Sequence, residues 1–259
     1  MTWKERSLGA ALFVFAQTQI TATLVMRFFS QLWVGEMARI YKDAVKAAEA
    51  SGAKPVENAD GYVLYEYPDY ETYCRVQQEG NIAKLKRQFV KRSHIDRLAN
   101  YLLGLGRPLG FGLCHGTRAG REQAWFAEAL EGCNVVGTEI SETATQFANT
   151  VQWDFHNENS DWIGRADFVY SNSWDHAFAP RKAFSAWIDQ LAPGGLLLLD
   201  YTKGQAPSAA NALDPFGVDL PVLVKLLKQV AGARCEAPQL HDYRDNPEYG
   251  ARVVTLRRR

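Results

Sequence analysis

The segment "LAPGGLLLLDY", residues 191–201, constrains the chain more than any other. A turn is followed by four leucines in a row, too short and too uniformly apolar for a one-sided element. Such a run, bounded by Pro and Gly, reads as a strand buried on both faces, at home inside a parallel sheet covered by helices. Its surroundings repeat the theme. From residue 107 onward "PLGFGLC", "CNVVGTEI", "TVQWDF" and "ADFVYSN" read as four earlier strands. Between them come helical stretches: one starting near Gly120, one capped by Ser141, and one over 181–191. The last places Phe184, Trp187, Ile188 and Leu191 on a single face. A helix from about Val218 to Val230, a strand near "ARCEA" and a final strand "ARVVTLR" complete the chain. This alternation implies an α/β domain: an open, mostly parallel sheet with helices on both faces. With 259 residues and 47% apolar residues, the chain suffices for one such domain plus an appendage.

Residues 1–106 read differently, as a mostly helical N-terminal extension or lid to a catalytic domain over 107–259. A long helix from near Trp3 to near Ala50 ends at "SGAKP". "YVLYEYP" is an extended piece, and Asp69 caps a helix beginning "YETYC". Asn81 is expected to cap a further helix with Ile82, Leu85, Phe89, Leu98 and Leu102 inward. In the first helix Leu8, Leu12, Phe15, Ile20, Leu24, Phe28 and Leu32 recur at near-helical spacing, while Gln17, Thr18, Gln19, Thr21 and Thr23 interrupt the apolar run. One-sided burial fits this better than spanning a bilayer. Three roles stay open for that face: peripheral membrane contact, homodimerisation, or covering the sheet. No small-x-small cleavage site comes after it, as a signal peptide requires.

Charge narrows the partners. Lys and Arg number 29, Asp and Glu also 29. The basic run Lys84, Lys86, Arg87, Lys91, Arg92 and Arg97 lacks interleaved stacking aromatics, so it reads as a solvated face and not as a nucleic-acid surface. Cys74, Cys114, Cys133 and Cys235 form no CxxC pair, which points to a reducing, cytoplasmic setting.

In open α/β sheets ligands bind beyond the carboxyl ends of the strands, so the residues there matter most. The first strand runs into "FGLCHGTRAGRE", with glycines at 112, 116 and 120 before a helix N-terminus that suits a carboxylate or phosphate. Glu122, in the first turn, is placed to meet an ammonium. Glu139, 23 residues after Gly116, ends the second strand, where an acid accepts from a ribose diol. Asp154 ends the third and suits an adenine amino group. The fourth ends in "SNSWDH", where His176 is a candidate general base with Asp175 orienting it. Asp154, His156, Asp175 and His176 are also metal-ligand types, but no HxH or HExxH spacing supports a metal, and none is expected.

Taken in order, "GLCHGTRAG", "VVGTEIS", "WDFH" and "ADFVYSNSWDHAFAP…LAPGGLLLLDY" resemble the class I S-adenosylmethionine-dependent methyltransferases over residues 107–259. The resemblance implies a seven-stranded, mostly parallel Rossmann-like sheet of order 3-2-1-4-5-7-6, with the seventh strand antiparallel. It implies S-adenosylmethionine as cofactor and a small-molecule methyl acceptor. By position, the loop of Gly112, Cys114, His115, Gly116 and Thr117 would hold the methionine moiety. Glu139 would bind the ribose, Ile140 would pack on adenine, and Asp154 with the Phe155 backbone would read the adenine edge. Asn172 would face the methionine end. The loop departs from the usual acid-then-Gly-x-Gly-x-Gly: Gly112, Cys114 and Arg118 stand where the acid, the first glycine and the third glycine are common, and only Gly116 matches.

The reaction so implied is O- or N-methylation, achieved mainly by positioning. Residues 201–217 would form one wall of the acceptor site, with Tyr70, Tyr73 and Gln77 as lid lining. Two rivals remain at this level. A nicotinamide-dependent oxidoreductase would also use a glycine loop and Glu139, though GxGxxG and a Tyr-x-x-x-Lys pair are absent. A non-catalytic methyltransferase-like binding protein is the other.

Overall fold

A computed structural model describes residues 36, 39–57 and 60–259. Residues 39–50 are helical (α1) and end in a turn at Gly52, whose φ of +95° glycine adopts without strain. The rest of the long N-terminal helix, with its apolar positions Leu8 to Leu32, lies outside the described residues. Contacts divide the chain into Met1–Asp43 and Ala44–Arg259. Every element from residue 54 onward belongs to the second unit.

That unit is built on a seven-stranded sheet. In chain order its strands are β3 (Phe111–His115), β4 (Asn134–Glu139), β5 (Thr150–Gln152), β6 (Ala166–Ser171), β7 (Leu191–Tyr201), β9 (Gln239–Tyr243) and β10 (Ala251–Arg257). The spatial order is β5-β4-β3-β6-β7-β10-β9, which is the expected 3-2-1-4-5-7-6. β3 to β7 pair in parallel, and β10 runs antiparallel to both β7 and β9.

The leucine run explains itself in this sheet. Leu197 and Leu199 join one apolar cluster with Trp174, Phe184, Trp187 and Leu223, beneath helices α5 (Pro180–Gln190) and α6 (Leu220–Ala231). Leu196 and Leu198 join the other, with Ile95, Leu102 and Phe126 of α3 (Arg92–Leu103) and α4 (Arg121–Ala129). Successive strand side chains face opposite sides, so a strand covered on both faces needs apolar residues at every position. Each fully buried leucine contributes about 2 kcal/mol of transfer free energy.

Three local expectations need correction. The strand before β10 is Gln239–Tyr243, not "ARCEA"; Cys235 makes only an isolated bridge to Arg258. Ser141 does cap, accepting from the Thr143 N–H, but the element it caps is a 3-10 turn, Glu142–Gln146. Asn81 caps nothing: it is buried within α2 (Tyr70–Lys84), and Ile82 and Phe89 are 54% and 43% exposed. α2 starts as expected, with the Asp69 carboxylate accepting from Thr72 N–H at 2.7 Å. The expected extended piece "YVLYEYP" is β2 (Tyr62–Glu66), but its place in a second, three-stranded sheet had no sequence signal: it lies between β1 (Lys54–Glu57) and β8 (Phe216–Val218), the last supplied by the long loop after β7.

Candidate functional site

The carboxyl ends of β3, β4, β5 and β6 open on one side of the sheet, and α2 lies across them. Its residues Tyr70, Tyr73, Gln77, Asn81 and Lys84 recur at three- and four-residue spacing, a polar stripe on one helical face.

After β3 the chain turns sharply. Gly116 has φ +74°, and a Cβ there would lie 2.7 Å from the Ser173 Cβ, so glycine is needed both for the turn and for the close approach of the β6 loop. Arg118 also lies in the left-handed region, at φ +46°. A non-glycine residue there costs on the order of 1 kcal/mol. Its backbone N–H donates to Glu139 Oε2 at 3.1 Å, and its guanidinium donates to the Arg87 carbonyl at 2.9 Å while lying over the Phe89 ring. These contacts hold the strained turn in place.

Glu139 accepts a second N–H, from Ser141, at 3.2 Å. Burial pushes its carboxyl up, against these donors and the Arg118 charge. At the end of β5, burial also opposes the Asp154 charge, but His156 and Tyr70 outweigh it and hold the carboxyl below its usual range. Asp154 Oδ1 accepts from the His156 backbone and pairs with its Nδ1 at 2.7 Å; Oδ2 accepts from the Tyr70 hydroxyl, also at 2.7 Å.

The β6 loop brings in His176. Its Nδ1 donates to Gln77 Oε1 at 2.8 Å, its Nε2 lies 3.3 Å from Asp214, and its carbonyl accepts from the Tyr73 hydroxyl. Burial first, then the Lys84 charge, drives the ring down to about 3. A ring neutral at pH 7 with so low a pKa is a weak base, which counts against the general-base role expected for it. Asp175 is buried, and burial and then Asp214 push its carboxyl well above the ordinary value. Its place is beside this group and not on the cavity wall.

Of the expected site residues, Gly116, Glu139, Ile140, Asp154, Phe155 and His176 line one cavity, together with Tyr73 and Gln77. Asn81, Lys84, Arg118 and Ser173 complete the wall. Lys84 departs from the solvated basic face expected for it; it is buried and paired with Asp214 at 3.1 Å. The polar stripe of α2 is the sequence signal for this.

Other expected residues stand elsewhere. A Cβ on Gly112 would meet the Phe168 ring at 2.3 Å, so strand packing by itself requires a glycine here, and Gly112 is not on the cavity wall. Cys114 lies in the α3/α4 core, and burial raises its thiol well above the usual value. His115 is buried, stacked on Trp187 and bonded to Thr138 and Gln190. Asn172 is half-buried, with its side-chain oxygen accepting from Ser173. Thr117 and Glu122 are buried behind the loop, and Thr117 Oγ1 and Glu122 Oε2 find no partner among the described residues.

The donor set fits a nucleoside cofactor with an amino-acid tail: carboxylates for a diol and an exocyclic amine, and unpartnered polar atoms at the glycine loop. The space fits less well. The cavity measures about 40 Å³, room for a few waters. The Tyr70 hydroxyl already bonds Asp154, so a cofactor amino group must displace it there. Among the described residues no cluster of three or more His, Cys, Asp or Glu could hold a metal, and no helix is long and apolar enough to cross a membrane.

The fold recurs in solved structures. The Burkholderia thailandensis 1,6-didemethyltoxoflavin-N1-methyltransferase, with bound 1,6-didemethyltoxoflavin and S-adenosylhomocysteine, superposes with a TM-score of 0.56 at 17% identity, covering 80% of this chain and 99% of that one. The fold is that of the class I methyltransferases. CalS10, an amino pentose methyltransferase from Micromonospora echinaspora with bound S-adenosylmethionine, shares this methyltransferase fold with a TM-score of 0.51 at 13% identity, over 70% of this chain and 96% of that one. The N-methyltransferase NodS from Bradyrhizobium japonicum, with S-adenosylhomocysteine, gives 0.50 at 12% identity, over 70% and 98%. No protein-family model matches the sequence, and no curated protein sequence matches it.

Proposed function

We propose that this chain is an S-adenosylmethionine-dependent methyltransferase acting on an amine nitrogen of a small molecule. One observation carries the cofactor assignment: Gly116, Glu139 and Asp154, from three separate strand ends, line a single cavity of a methyltransferase fold.

When bound, S-adenosylmethionine supplies an electrophilic methyl group on a sulfonium. Glu139 accepts from the ribose hydroxyls, Asp154 from the adenine amino group once Tyr70 releases it, and Ile140 and Phe155 enclose the ring. The Gly116 loop holds the methionine end, with Arg118 available to its carboxylate. On the acceptor side the neutral His176, its one N–H given to Gln77, is too weak a base for proton abstraction. This favours an amine over a hydroxyl, since a neutral amine needs alignment but no base. The names of two solved structures of this fold support the same reading: an N1-methyltransferase and an N-methyltransferase.

Incubation with methyl-labelled cofactor and panels of small amines and matched alcohols tests this. Label transfer to amines alone is expected; transfer to alcohols alone contradicts the nitrogen assignment. Binding of NADPH but not of S-adenosylhomocysteine contradicts the cofactor assignment, and binding of neither indicates a non-catalytic protein.

A further inference from the structure

Beside the cofactor cavity lies a second groove of about 250 Å³, lined by Tyr65, Tyr67, Tyr70, Tyr73 and Phe178, with the carboxylates of Glu66 and Asp69. Tyr73 lines both spaces. Five aromatic rings and two acids, with no basic residue among the lining, make an unusual wall for a surface groove.

The rings pack against one another and form one continuous wall. Tyr73 meets Tyr67 at 70°, Phe178 at 54° and Tyr70 at 34°, with centroids 5.3, 4.4 and 6.1 Å apart. These are contact distances, so a ligand lies on the open side of this wall and not between its rings. Two are also fixed beforehand by groups outside the adenine site. The Tyr67 hydroxyl donates to the Ala212 carbonyl at 2.8 Å and the Tyr73 hydroxyl to the His176 carbonyl at 3.1 Å. Less ordering of these two rings remains to be done on binding. The Asp69 carboxylate is exposed and held in place by the Thr72 N–H it caps.

We propose that this groove binds a compact organic cation, a quaternary or protonated ammonium group, held by the π-faces of the tyrosines and Phe178 and by Glu66 and Asp69. The physical basis is the attraction of a cation to the negative face of an aromatic ring, strongest where several rings share it. The further step, that this ammonium is the anchoring end of the methyl acceptor, rests on the methyl-transfer reading; the binding itself does not. Tyr73 would then be the partition between anchor and reacting centre.

The test titrates tetramethylammonium chloride into the full chain, followed by calorimetry, at constant ionic strength. Its neutral isostere neopentyl alcohol, 2,2-dimethylpropan-1-ol, serves as control. The cation is expected to bind at least about fivefold more tightly than the alcohol, and Tyr65→Leu and Glu66→Gln each to weaken it by at least about threefold. Circular dichroism establishes that both variants fold, and their affinity for S-adenosylhomocysteine is expected to stay within about twofold of the parent. Equal binding of alcohol and cation, no binding of either, or undiminished cation binding in both folded variants overturns the proposal. Loss of S-adenosylhomocysteine binding by the parent chain would overturn the methyl-transfer reading instead, and leaves the cation result to stand by itself.

Discussion

The hydroxyl of Tyr70, the first residue of α2, donates to Asp154 Oδ2 at 2.7 Å. A side chain of the covering helix thus satisfies the carboxylate assigned to the adenine amino group. The same helix meets His176 through Gln77 and Tyr73, and Asp214 through Lys84. The covering helix and the proposed cofactor would therefore compete for Asp154.

Removing that competitor should help the cofactor. Tyr70→Phe is expected to tighten S-adenosylhomocysteine binding about three- to tenfold, the value of one hydrogen bond to a carboxylate in a partly exposed setting. Calorimetry checks this; a weakened complex would show that Tyr70 closes over the cofactor instead of competing with it.

Gly112→Ala should damage the fold and not the site. The added Cβ falls 2.3 Å from the Phe168 ring inside the α3/α4 core. Overpacking there is expected to cost about 2 kcal/mol or more, read as a lowered urea midpoint. Cofactor affinity of the folded protein should be unchanged. Intact stability with lost affinity would return Gly112 to the cofactor loop.

His115 should make the fold acid-sensitive. Burial, opposed only by Gln190, lowers its pKa from 6.5 to about 4. Between these values the unfolded chain binds the proton more readily than the folded one. The stability from this group is therefore complete above about pH 6.5 and is lost as pH falls toward 4, by roughly 3 kcal/mol. Urea unfolding from pH 7 to 4 measures the slope, and His115→Gln should reduce it whatever it does to stability at pH 7, the remainder coming from His176 and His156, which burial also holds below 6.5. An equal slope in the variant would contradict the assignment.

The rate of methyl transfer should show no histidine ionisation between pH 5 and 8, because His176 is held down to about 3. The limiting ionisation is then that of the acceptor amine. An inflection of kcat/KM near pH 6.5 that vanishes in His176→Gln would restore the general-base role.

Much of the sheet was legible because its signals are local. The leucine run of β7, the turn before it and the acids at strand ends reflect which positions face helices and which face the cleft. What escaped depended on long-range pairing. β9 carries Leu240 among polar and exposed residues and is a strand only because β10 offers it a partner. β8 is three residues long and pairs with β2, more than 150 positions earlier. Lys84 resembles the exposed Lys86 in sequence; the polar stripe of α2 sets its face, but its partner Asp214 comes from 130 positions away. Gly112 and Cys114 fall in a loop motif by position, yet β3 continues through His115 and turns both residues into its neighbouring core.

The central claim is that Glu139 holds the ribose of a sulfonium cofactor at this sheet's edge. Calorimetric titration of S-adenosylhomocysteine into the full chain and into Glu139→Gln tests it most directly. Micromolar binding that weakens at least about tenfold in the variant is the expected result, since a carboxylate accepting from a diol contributes charge-assisted hydrogen bonds. Equal affinity of the two proteins, or no binding to the parent chain, would contradict it.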